Sequence, residues 1–116
     1  MRTCLALDLK NDPALIEQYE HVHRPGHMWP EIPQGIREGG IVDMQIYRIG
    51  NHLFMIVETP GNLTVAEAFQ RIGELPRQAE WAAFVGQFQQ RLPEAQPGEH
   101  WAEMKAVFSL NEHRTV

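Results

Sequence analysis

Residues 3 to 9 alternate with period two. Thr3, Leu5, Leu7 and Leu9 fall on one face, and Cys4, Ala6 and Asp8 on the other, which predicts a strand. Asn11-Asp12-Pro13 follows, a helix N-cap with proline in the first helical position. Leu15, Ile16, Tyr19 and His23 then recur at helical spacing, and Pro25-Gly26 ends that helix. A second helix is predicted from Pro30-Glu31 to Gly39-Gly40. Residues Ile41 to Ile49 read as a strand, Gly50-Asn51 as a two-residue type II′ hairpin loop, and His52 to Glu58 as the returning strand. Thr64 caps a helix over Val65 to Ile72, with Glu67 three residues on completing a capping box. A further helix is expected from Arg77 to Gln90, carrying Trp81, Phe84, Val85 and Phe88 on one stripe. Pro93 to Gly98 is a loop, Trp101 to Leu110 the last strand, and the tail after Asn111 is solvated.

The resulting order, β-α(α)-β-β-α(α)-β, is the split β-α-β pattern of a ferredoxin-like α+β fold with an antiparallel sheet. Helices on one face of such a sheet leave the other face bare. A second copy of the chain is expected to cover it, giving a homodimer. The length of 116 residues suits one domain, with an ordered core over about residues 2–110. No internal repeat or linker divides it.

Composition narrows the function classes. The net charge of −5 and the absence of a basic patch argue against a nucleic-acid partner. Cys4 is the single cysteine, so no disulfide can form within the chain, and a reducing cytoplasm is the expected compartment. The N-terminal apolar run is broken by Asp8 and Lys10, too early for a signal peptide or a membrane span. There is no glycine-rich phosphate loop. The one serine, Ser109, lies on an expected strand without a nucleophile-elbow context. Cys4 reads as a small buried packing residue.

What remains is the segment from Tyr19 to Glu31, which holds three of the six histidines, His21, His23 and His27. Tyr19 and His23 are four apart and share a helix face. A phenol beside an imidazole can do acid/base work near neutral pH. His23 sits near a helix C-terminus, whose partial negative charge favours the imidazolium and suits a proton donor. The same pair also has a purely structural reading. The three histidines could supply metal ligands, but Pro25-Gly26 breaks their register and no cysteine pair accompanies them; no metal or cofactor is expected. Trp29 and Trp81 read as core residues or as walls of a sugar pocket, because the apolar face of a pyranose packs on an indole. Tyr47 could face core or pocket. Trp101 reads as structural, and Leu53, Met55 and Val57 as core or dimer interface.

Taken together, Tyr19-x-x-x-His23, Trp29-Pro30-Glu31, Met44-Gln45-Ile46-Tyr47, Gly50-Asn51-His52-Leu53-Phe54, Trp81 and Glu103-Met104-Lys105-Ala106-Val107-Phe108 resemble the L-rhamnose mutarotase family. The resemblance runs from residue 3 to about 110. It implies a dimeric α+β barrel, an isomerase that interconverts the anomers of a 6-deoxy-hexose, and no cofactor. It also implies His23 as the general acid that protonates the ring oxygen, Tyr19 as a hydrogen-bonding partner of the sugar, and Trp81 in the pocket wall. The base is left open among His27, Glu31 and water. Three departures stand out. Trp29 lies six residues after His23 where four are usual, Ala82 stands where a second tryptophan is usual, and Met44 replaces a sugar-contacting tyrosine. L-rhamnose is therefore the first expectation for the substrate and L-fucose its competitor. A small monooxygenase on the same fold and a non-catalytic sugar-binding module are the alternatives.

Overall fold

Alternation of the first strand is realised fully. In the computed structural model, which describes residues 1–113, β1 (Arg2–Leu9) buries Thr3, Leu5, Leu7 and Leu9 and leaves Cys4, Ala6 and Asp8 half-covered. Beside it lies a hairpin of β2 (Asp43–Ile49) and β3 (His52–Glu58). Gly50 takes φ 58° at the first hairpin position, while Asn51 stays at negative φ, as the expected type II′ turn requires. All pairings are antiparallel, and Leu5, Met55 and Ile46 lie in one cross-strand row. The next row on that face holds Leu7 and Leu53.

Four helices cover this face. Asp12 caps α1 (Pro13–Val22) by accepting hydrogen bonds from the amides of Ala14 and Leu15. The second helix, α2 (Glu31–Glu38), ends in a Schellman motif: the Ile41 amide reaches the Ile36 carbonyl, and the Gly40 amide that of Arg37. Gly40 supplies the φ of +102° that this ending needs. Gly39, before it, lets the chain approach α3 (Val65–Gly73) so closely that a Cβ there would overlap the Ile72 side chain. Thr64 and Glu67 form the predicted capping box of α3. The fourth helix, α4, spans Gln78–Gly86.

Two expectations about the C-terminal third are corrected. The helix expected from Arg77 to Gln90 stops at Gly86, and Gln89–Gln90 form a short strand, β4, against Asp8 and Leu9 of β1. The last strand, expected over Trp101 to Leu110, is reduced to β5 (Ala102–Glu103), which pairs with Leu5 and Ala6. One further bond, from the Met104 amide to the Cys4 carbonyl, ends the contact with β1. Beyond it Val107, Phe108 and Leu110 are exposed, and among the described residues no strand pairs with them. The sheet thus runs β2-β3-β1, with β4 and β5 one after the other along the free edge of β1. Of the tail expected to be solvated, residues 114–116 lie outside the described part.

The other face of the sheet is bare. Tyr47, Phe54 and Ala6 form one cross-strand row there, and Tyr47 and Phe54 are exposed; Ile49, at the β2 end of the next row, is exposed as well. Tyr47 therefore faces neither the core nor a pocket beneath the helices. Leu53, Met55 and Val57 point the opposite way and are core. That core is in two parts. One joins Leu5, Met55, Val57 and α3; the other joins Leu9, Leu53, Tyr19, Ile32, Trp81 and Phe88.

Candidate active site

The two parts of the core do not close on each other. Between them lies a cavity of about 650 Å³, within the range of roughly 300–1,000 Å³ common for small-molecule sites. Its floor is the buried face of the sheet, with Met44, Ile46 and Met55. From the helices Tyr19, His23, Gln78, Trp81 and Ala82 project into it, and from the C-terminal segment Gln89, His100 and Trp101.

Tyr19 and His23 come together because of how α1 ends. His23 is the C-cap, and its backbone amide bonds the carbonyls of Glu20 and His21 in a tightened last turn. The Tyr19 carbonyl takes the imidazole instead: Nδ1 of His23 lies 2.6 Å from it. A carbonyl only accepts, so Nδ1 carries the proton and Nε2 is the nitrogen left for the cavity. The Tyr19 and His23 rings lie 4.2 Å apart, and Trp81 meets the imidazole edge-on at 5.3 Å. The side chain is thus held on three sides.

Burial sets the protonation states. Desolvation pulls His23 below its ordinary value of 6.5, against the smaller upward pull of the Tyr19 carbonyl, so its resting form is the neutral imidazole. The helix C-terminus predicted the opposite sign; burial outweighs it here. Desolvation also pushes the Tyr19 hydroxyl up to about 12, with the polar Gln89 side chain pulling the other way. At neutral pH the site therefore offers a phenol that can donate and an imidazole nitrogen that can accept.

Of the residues singled out in the sequence, His23, Tyr19, Trp81 and Met44 line the cavity together. Trp29 does not line it. It packs behind Trp81 at 5.1 Å, stacks on Phe84, and carries the Arg77 guanidinium 4.0 Å above its ring. Its role is to buttress the Trp81 wall. His27 and Glu31, the two residues considered as bases, are also outside: the His27 ring lies tilted against His21 at 4.3 Å, and Glu31 pairs with Arg77 at 3.6 Å. His21, His23 and His27 do not converge, and among the described residues no three His, Cys, Asp or Glu side chains form a metal-ligand set.

Sequence reasoning missed Gln78, Gln89, His100 and Trp101. For Gln78 the signal was present: 78, 81, 82 and 85 are one helical stripe, so it shares a face with Trp81. Its amide donates to the carbonyls of Glu31 at 2.9 Å and Ile32 at 3.4 Å, tying α4 to the start of α2. Gln89 was hidden inside the over-long helix. His100 and Trp101 enter only through the turn that brings β5 back to β1.

Comparison with known proteins places the chain in a family. Residues 2–110 match the sequence model of a family described as L-rhamnose mutarotase. The chain is 39% identical over 115 residues to an L-fucose mutarotase of Xanthomonas campestris pv. campestris, covering 99% of this chain and 92% of that protein. It is 38% identical over 110 residues to a UPF0734 protein of Dictyostelium discoideum, covering 91% and 86%. Among solved structures, an L-rhamnose mutarotase from Formosa agariphila superposes with a TM-score of 0.63 at 18% identity, over 94% of this chain and 97% of that one. Tetracenomycin F2 cyclase from Streptomyces glaucescens superposes with a TM-score of 0.59 at 22% identity, with the same coverages. Both likenesses are of fold, and they agree with the ferredoxin-like α+β architecture expected from the sequence.

Proposed function

Since the chain belongs to the L-rhamnose mutarotase family and is an isomerase of that kind, we propose that its substrate is a 6-deoxy-hexose and, of the two candidates, L-fucose. The observation that carries the chemistry is the Tyr19–His23 pair at the cavity wall, with Nδ1 of His23 tied to the Tyr19 carbonyl. The apolar floor of Met44, Ile46 and Met55 suits the methyl group that replaces a hydroxymethyl in such sugars. L-fucose is favoured by the near-full-length likeness to an L-fucose mutarotase, and by Met44 and Ala82, which line the cavity where the rhamnose pattern has larger aromatic residues. L-rhamnose is the second reading, supported by the family match.

Mutarotation moves one proton out and one proton in. In our reading Nε2 of the neutral His23 takes the proton of the anomeric hydroxyl, and the resulting imidazolium gives it to the ring oxygen. The C1–O5 bond breaks, its electron pair stays on the ring oxygen, and a hydroxy aldehyde results. Both oxygens sit on the same carbon, within reach of one nitrogen. The carbonyl turns, and the reverse steps close the ring on the other face. His23 is thus the acid expected from the sequence, but only after it has served as the base. The Tyr19 hydroxyl donates a hydrogen bond that orients the sugar, and Trp81 packs against its apolar face.

A homodimer is part of the same proposal. Tyr47, Ile49 and Phe54 form an exposed apolar strip on the bare sheet face, and Val107, Phe108 and Leu110 are exposed beyond β5. The test of the function is inversion transfer by NMR between the anomeric protons of L-fucose and, separately, of L-rhamnose, with catalytic amounts of protein. Faster exchange with L-fucose supports the assignment. Faster exchange with L-rhamnose selects the second reading, and no acceleration with either refutes the substrate class.

A further inference from the structure

One amide at the cavity has its direction fixed by the backbone. Gln78 opens α4 and shares a helical stripe with Trp81, Ala82 and Val85, and all four line the cavity. The turn before it is strained: Arg77 takes φ 63°, the one positive φ of a non-glycine residue among the described residues. The Arg77 side chain is held over the Trp29 ring and against Glu31. Gln78 lies against the first turn of α2, where its Nε2 donates to the carbonyls of Glu31 at 2.9 Å and Ile32 at 3.4 Å. Gly35 makes the seat, since a Cβ there would overlap that nitrogen. Both acceptors are carbonyls, so turning the amide over would set oxygen against oxygen. The Gln78 oxygen is the atom left over, and it can only accept.

Among the described residues that oxygen has no hydrogen-bond partner, and the one unpartnered side-chain atom sealed from solvent is elsewhere, on Glu58. Gln78 is 7% exposed overall, so the opening that reaches its oxygen is the cavity. An acceptor so nearly desolvated costs free energy until a donor meets it. We propose that Gln78 determines which sugar is accepted: its Oε1 takes the hydrogen of one ring hydroxyl, and a sugar that directs this hydroxyl elsewhere is turned over poorly. L-fucose and L-rhamnose differ in configuration only at C2 and C4, so the hydroxyl read is one of these two. A free glutamine can flip to suit an incoming donor or acceptor; this one cannot, and that makes it selective. The inference rests on the 6-deoxy-hexose reading and adds to it the residue that tells the two sugars apart.

The test is kcat/KM for anomer exchange by NMR on three substrates: whichever of the two sugars is turned over, and its analogues with fluorine in place of the C2 or of the C4 hydroxyl. Fluorine keeps the polarity of the position but cannot donate a hydrogen bond. Gln78→Met removes the acceptor at similar volume. It is expected to lower kcat/KM about tenfold for the unmodified sugar and for one analogue, and by less than about twofold for the other, which lacks the hydrogen that the oxygen takes. Comparing substrates within one protein cancels any loss of folded fraction. Gly35→Ala drives the amide from its seat from outside the cavity and should reproduce the pattern. Equal losses on all three substrates in both variants, or no loss at all, leave Gln78 a structural link alone and overturn the inference while the substrate class stands. A parent protein that turns over neither sugar overturns both.

Discussion

Gly35 gives a prediction whose sign depends on one neighbour. It sits in the middle of α2, where replacing glycine by alanine ordinarily stabilises a helix by about 1 kcal/mol. Here a Cβ would lie within van der Waals overlap of the Gln78 amide nitrogen and 3.0 Å from its Cδ. The amide is not free to yield, because it is bonded to the Glu31 and Ile32 carbonyls and the residue is 7% exposed. Evicting it loses one good hydrogen bond, about 1 kcal/mol, and roughly another 1 kcal/mol of buried side-chain contact. Gly35→Ala should therefore destabilise the protein by about 1 kcal/mol on balance. In a Gln78→Ala background, which itself costs about 2 kcal/mol by the same two losses, the obstacle is gone. The same Gly35→Ala change should there stabilise by about 1 kcal/mol. The coupling between the two positions is then about 2 kcal/mol. Urea unfolding followed by tryptophan fluorescence measures all four proteins, with equal m-values as the check on two-state behaviour. If Gly35→Ala has the same sign and size in both backgrounds, the contact with Gln78 does not decide its effect and the reasoning fails.

Four further outcomes follow from the same structure. Because burial holds His23 below 6.5 and its neutral form starts the cycle, kcat/KM for anomer exchange should rise with pH through a midpoint below 6.5 and level off by neutrality; a profile that falls over that range contradicts the assignment. His23 and His100 should also make stability pH-dependent: each has a lowered folded value, so their contribution is full above 6.5 and is lost as pH falls through the folded values, which urea titrations at a series of pH values will show. Tyr19→Phe should keep the ring packing and change stability by less than about 1 kcal/mol, while kcat/KM drops about tenfold, the worth of one neutral hydrogen bond. Phe54→Glu on the bare sheet face should yield a folded monomer in sedimentation velocity where the parent sediments as a dimer; a parent that is itself monomeric rules the dimer out.

Most of the fold was legible because the local signals act alone. Strand β1 alternates without a break, the Gly50-Asn51 turn needs only its own φ angles, and Thr64 with Glu67 satisfies the same orphan amides in any context. The errors fell where tertiary pairing decides. Phe88 continues the helical spacing of Phe84 and Val85, so periodicity cannot reveal that the helix has already ended in a turn. It is the free edge of β1 at Asp8 and Leu9 that recruits Gln89 and Gln90. The last strand fails for the converse reason: its pattern is strand-like, but only Ala102 and Glu103 find partners. The closeness of Tyr19 and His23 was legible from the spacing of 19 and 23, whereas the protonation state of His23 was not. Helix direction is written in the sequence, and depth of burial is set by Trp81 and the rest of the fold.

The placement of the site explains why Tyr19 is best read through its hydroxyl alone. The cavity separates two core clusters, and Ile36, Ile46 and Trp101 pack against both. Residues that shape the site are thus also those that hold the halves together. Tyr19 is the extreme case: it is 4% exposed, packs on His23 and edge-on to Phe88, and supplies the carbonyl that holds the imidazole. Removing the whole side chain would cost about 3–5 kcal/mol, a large share of the stability of a domain this size. A loss of activity after such a change would say nothing about chemistry. The backbone carbonyl survives every substitution, so the anchor of His23 is insulated from the side chain that shares its site. On the proposed mechanism, stability and reaction meet in one residue but reside in different atoms: the ring carries the packing, the carbonyl sets the tautomer, and the hydroxyl alone is left for the sugar.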